Sequence, residues 1–134
     1  MYERDYAYTK RFKDSSVAEI VARVRQALAA EGFGVLTEID VQATLKNKLG
    51  VERKAYLILG ACNPSLSHKA LEAEPAIGVF LPCNVDVFEG EDGAVYVQTP
   101  KPAVMLGIVG NPKVQPIAEE VDTKLRRVFD AVAE

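Results

Sequence analysis

Ala55-Tyr56-Leu57-Ile58-Leu59-Gly60-Ala61-Cys62-Asn63-Pro64 is the stretch on which the fold turns. Residues 55–61 form a continuous apolar run, the pattern of a central strand covered on both faces. Asn63 then supplies a helix N-cap and Pro64 a first helical residue, where the missing N–H is harmless. Leu66, Ala70 and Ala73 give that helix an inner face, and Pro75 bounds it. A buried strand that hands Cys62 directly to a helix start is the expected centre of the molecule.

Upstream, Tyr2, Tyr6, Tyr8 and Phe12 alternate with Glu3, Asp5, Thr9 and Arg11, which predicts a strand with one wet face. Val17, Ile20, Val21, Val24 and Leu28 then repeat at the spacing of one helix face. Ser16 and Glu19 have capping-box spacing, and Gly32 stands where a left-handed cap would end the helix. Phe33, Val35, Thr37 and Ile39 alternate as a second strand. Val41, Leu45 and Leu49 suggest a short helix stopped by Gly50.

Downstream, Ile77 to Leu81 reads as another apolar strand, broken at Pro82. Val85 to Glu89 and Ala94 to Thr99 flank the turn Gly90-Glu91-Asp92-Gly93 as a hairpin. Ala103 to Val109, bounded by proline and glycine, fits a short helix or a strand equally. Ile117, Val121, Leu125, Val128 and Val132 mark a long C-terminal helix. The order gives a two-layer α+β fold, a mainly antiparallel sheet with helices on one face and short extra helices, in one domain over residues 1–134.

Composition bounds the function. A chain of 134 residues with 49% hydrophobic and 26% charged side chains is the size and make-up of one globular domain. A net charge of -3 argues against non-specific binding of a phosphate backbone, so no nucleic-acid partner is expected. The longest apolar runs, residues 55–62 and 103–110, fall far short of the roughly 20 residues of a membrane-spanning helix. Two cysteines and no signal-like N-terminus suggest a reducing cytoplasm.

The residues with chemical promise are Cys62 and Cys83, each followed by asparagine and each placed where a buried strand meets a turn. Cys62 precedes a helix N-cap, where unpaired amides and the positive helix end favour a thiolate. The plain alternative is a pair of ordinary buried thiols. Cys62, Cys83 and His68 make at most three metal ligands without metal-binding spacing, so no metal set is expected. The amides after Asn63, with Lys46, Lys48, Arg53 and Lys54, offer a small-anion reading, against that of a solvated surface. No phosphate-binding glycine loop, dinucleotide fingerprint or nucleophile elbow occurs. The adjacent acids Glu119 and Glu120 face different directions on a helix and suit solvation.

Gly60-Ala61-Cys62-Asn63-Pro64, Glu74-Pro75-Ala76-Ile77-Gly78 and Leu81-Pro82-Cys83-Asn84-Val85, followed by Ile117-Ala118-Glu119-Glu120-Val121, resemble the bacterial and archaeal family called domain of unknown function 302. The resemblance covers nearly the whole chain. It implies a β-α-β(4)-α arrangement of the TATA-binding-protein-like topology class, and a homodimer. The topology label carries no DNA binding with it, because fold does not fix function.

These readings converge on a cytoplasmic, homodimeric binding module for a small polar or thiophilic ligand, with a site rimmed by Cys62, Asn63, Cys83 and Asn84. Catalytic residues and cofactor stay unassigned. A thiol-dependent redox protein or enzyme, with Cys62 attacking and Cys83 resolving, is the first alternative; a structural dimerisation domain is the second.

Overall fold

The structure, a computed structural model, describes residues 1–133. Among these residues five strands, β1 (Ala7–Phe12), β2 (Gly34–Asp40), β3 (Tyr56–Cys62), β4 (Cys83–Glu89) and β5 (Val95–Pro100), form one sheet in the order β1-β5-β4-β3-β2. Every neighbouring pair is antiparallel. The helices are α1 (Val17–Ala30), α2 (Val41–Leu49), α3 (Pro64–Ala73), α4 (Pro102–Gly107) and α5 (Gln115–Ala131), with a 3-10 helix at Pro75–Phe80. The fold is α+β, as expected.

Alternation along the strands sends Leu57, Leu59 and Ala61 of β3, Val85 and Val87 of β4, and Val95 and Val97 of β5 into one core. Ile20, Val24 and Leu28 of α1 and Leu125 and Val128 of α5 close over them, each at most 1% exposed. Each such side chain contributes about 1.5 to 3 kcal/mol by leaving water. The Ser16–Glu19 capping box is present at the start of α1. Beyond the end of that helix Gly32 takes φ +83°, which only glycine adopts without strain. Lys10 of β1 donates to the carbonyls of Phe129 and Val132, both at 2.6 Å, and so satisfies the C-terminal end of α5.

A second, smaller cluster of Ala70, Ile77, Leu106, Val114 and Ala118 joins α3, the 3-10 helix, α4 and the start of α5. It sits at the end of the sheet where β3 finishes and β4 begins. On the sheet face opposite the main core, Phe88 stacks on Tyr56 at 4.9 Å, and Tyr2 meets Phe88 edge-on at 5.1 Å.

Two segments depart from the sequence reading. The N-terminal strand begins at Ala7, after a turn at Asp5 and Tyr6, so the tyrosine stripe is divided. Tyr8 packs against the core, Tyr6 is exposed, and Tyr2 folds back onto Phe88 and Tyr96. Residues 77–81 lie largely within the 3-10 helix and form no strand. Pro75 opens that turn, and the threefold period places Ile77 and Phe80 inward while Val79 stays 84% exposed. The ambiguous run at 103–109 falls mostly in α4.

Candidate functional site

Cys62 ends β3 and Cys83 begins β4. In the register between these strands Ala61 stands opposite Cys83, and Gly60 opposite Asn84. Cys83 shares the parity of Val85 and Val87, so it packs against the main core. Cys62 has the other parity, but the chain leaves the sheet there and enters α3. Its Sγ lies 3.1 Å from Ser67 Oγ, one turn into that helix.

Both half-buried thiols border a single cavity of about 30 Å³. Phe33, Leu66, Ile77, Leu81 and Met105 contribute apolar wall. That volume is room for about two water molecules. Burial pushes the Cys83 thiol up to about 11, and the nearby Cys62 adds to the shift by charge repulsion. Cys83 is therefore a neutral thiol at physiological pH unless something replaces its proton.

The two asparagines do different jobs. Asn63 Oδ1 accepts from the Leu66 N–H at 3.2 Å, the expected N-cap, and its Nδ2 donates to the Glu31 carbonyl at 3.3 Å. It thereby ties the end of α1 to the start of α3. A side chain at Gly32 would come within 3.0 Å of Asn63 Nδ2. Asn84 is exposed, and its parity is opposite to that of Cys83. Its carbonyl accepts from Thr99 Oγ1 at 2.9 Å. Thus Cys62, Asn63 and Cys83 gather at the cavity, while Asn84 lies across the sheet.

Gly60 is required at its position by close approach: a Cβ there would lie 2.1 Å from Thr37 Oγ1 and 2.9 Å from Pro82 Cγ. Thr37 reaches it through an irregularity in β2 between Val35 and Thr37.

Other residues singled out by sequence lie elsewhere. His68 is exposed on α3 and does not line the cavity. The basic cluster is dispersed: Lys46 pairs with Glu52 at 3.6 Å, Lys54 with Glu89 at 3.9 Å, and Arg53 lies over the Tyr56 ring. The cap by Asn63 also occupies one of the α3 amides that an anion would need.

The sequence reading missed two larger spaces. An open groove of about 720 Å³ runs past Tyr2, Arg4, Arg53, Tyr56, Phe88 and Gln98. Next to Tyr56, Asp86 Oδ2 accepts from its hydroxyl at 3.2 Å, whereas the buried Oδ1 has no hydrogen-bond partner among the described residues. Burial raises the Asp86 carboxyl and pushes the Tyr56 hydroxyl up to about 12. A second space of about 360 Å³ lies along Ala103, Leu106, Asn111, Gln115 and Glu119. The outward parity of Tyr56, Phe88 and Tyr96 was the available signal for the groove; nothing periodic announced the second space.

Fold and site together define an antiparallel α+β domain with two cysteines at the junction of two inner strands. The family model for domain of unknown function DUF302 matches residues 8–132, and the chain belongs to that family. A crystal structure of an uncharacterized conserved protein DUF302 from Bacillus stearothermophilus is similar, with 28% identity, 97% of this chain and 100% of that chain covered, and a TM-score of 0.89. No curated protein sequence matches.

The unequal placement of the asparagines has a measurable consequence. Asn63→Ala is expected to lower unfolding free energy by about 1 to 2 kcal/mol through loss of the cap, whereas Asn84→Ala should change it by less than about 0.5 kcal/mol. Urea unfolding of both variants checks this, and equal losses would contradict the assignment.

Proposed function

We propose that the protein is a binding module for a small thiophilic group held between Cys62 and Cys83. The observation that carries this reading is the meeting of both thiols at one apolar-walled cavity. Its size narrows the ligand. Pockets for metabolites commonly span about 300–1,000 Å³, so about 30 Å³ suits a ligand of one or a few atoms. A larger polar ligand oriented by both asparagines is disfavoured, because Asn63 is engaged in capping and Asn84 lies across the sheet.

A second reading, dithiol redox chemistry, draws support from the same adjacency. The Cys62 thiolate would attack a low-molecular-weight disulfide, forming a mixed disulfide and expelling one thiolate. Cys83, after losing its proton, would then attack Cys62 Sγ, closing an internal disulfide and releasing the second thiolate. The substrate disulfide is thereby reduced by two electrons. A cytoplasmic location belongs to both readings, since a free dithiol persists in a reducing compartment.

Arsenite tests the leading reading, because one As(III) hydroxide condenses with two thiols and releases two waters. At about 100 times its dissociation constant it should stabilise the reduced chain by about 2.7 kcal/mol, and Cys62→Ser or Cys83→Ser should abolish the thermal shift. An unshifted melting curve with both thiols still open to a maleimide would refute it. Formation of the internal disulfide with glutathione disulfide, without arsenite binding, would transfer support to the redox reading.

Homodimerisation is part of the proposal, with edge strand β2 and its surroundings as the surface that a second copy would cover. Leu36, Ile39, Leu49 and Val51 are 67%, 50%, 69% and 45% exposed there, and an open strand edge can pair with its symmetry mate. Sedimentation equilibrium should return twice the chain mass, falling to one on Leu36→Lys/Ile39→Lys; a wild-type monomer would overturn this.

A further inference from the structure

We infer that the cavity between Cys62 and Cys83 is a site for a soft monovalent metal ion, copper(I), held by the two cysteine sulfurs with the Met105 thioether as a third, weaker donor. The inference rests on the thiophilic reading and names its ligand.

Donor chemistry carries the argument. Cys62, Cys83 and Met105 border the same small space, from β3, β4 and α4 respectively. Thiolate and thioether together are the ligand set of Cu(I), whereas imidazole and carboxylate suit harder or borderline ions. His68 is exposed outside the cavity, and among the described residues no group of three His, Cys, Asp or Glu side chains could hold a metal ion. Zinc ordinarily takes four ligands in a tetrahedron; two thiolates and a thioether serve it poorly. Nothing in the sequence singles out Met105, because the run containing it has no decisive period. It reaches the cavity because α4 packs beside α5.

The space and its electrostatics agree with this donor set. About 30 Å³ accommodates a single ion. Phe33, Leu66 and Ile77 present apolar surface to it, which limits access of water to a bound Cu(I). Binding replaces two thiol protons with one Cu(I), so the site gains a single net negative charge and two protons leave to solvent. Cys62 lies immediately before the N-cap of the ten-residue helix α3, whose positive end moderates that charge.

The test is anaerobic titration of the fully reduced chain with Cu(I) against the chromophoric chelator bicinchoninate. One ion per chain should be retained, with a sulfur-only first shell by X-ray absorption and two protons released. Cys62→Ser and Cys83→Ser should lose the ion to the chelator, Met105→Leu should weaken binding without abolishing it, and zinc should not compete. Circular dichroism of each variant separates loss of the site from loss of the fold. Failure to retain copper while arsenite still bridges the two cysteines would overturn the copper inference and leave the thiophilic reading standing. Failure of both ligands on the folded wild-type chain would overturn both. Retention that survives both cysteine substitutions would also overturn the inference.

Discussion

The antiparallel register that sets Ala61 against Cys83 decides which side chains reach the core and which reach the opposite face. Side chains alternate along a strand, so a slip of one residue would turn Val85 and Val87 away from α1 and α5 and expose them. The fully buried side chains at the core, each contributing about 1.5 to 3 kcal/mol, hold this register in place. The same register aligns Tyr56 with Phe88 and sets Ile58 opposite Asp86 on the other face. One pairing thus organises both the core and the aromatic groove.

The register also explains how two cysteines of opposite parity reach one cavity. Cys83 is inward-facing by alternation, whereas Cys62 turns inward only because Asn63 and Pro64 stop the strand and start α3. Asn63 fixes that departure by capping α3 and binding the end of α1. Gly60 serves the same junction from the opposite face, where Thr37 and Pro82 leave no room for a side chain. Local sequence, strand pairing and the position of each sulfur are therefore one problem.

Much of this was legible in the sequence. The period of Ile20, Val24 and Leu28, the apolar run before Cys62 and the Asn63-Pro64 start all correspond to observed elements. What escaped reading depends on tertiary placement. Tyr2 and Tyr6 share an alternation with Tyr8, yet the turn at Asp5 sends them elsewhere. Ile77 to Leu81 is apolar enough for a strand, but the 3-10 turn opened by Pro75 directs Ile77 and Phe80 toward α3 and α5. The two Cys-Asn pairs look alike as sequence and differ in space because only one asparagine begins a helix. Met105 joined the site through packing of α4 on α5, which no local pattern encodes.

Cys62 and Cys83 border one space within a single chain. Titration of the native, reduced protein with mercuric ion provides the test, since one Hg(II) joins two thiolates only where both sulfurs reach the same point. One ion per chain with two sulfur neighbours by X-ray absorption, located on Cys62 and Cys83 by peptide mass spectrometry, is the predicted result. Uptake of two ions per chain, or an ion that joins two chains, would contradict it.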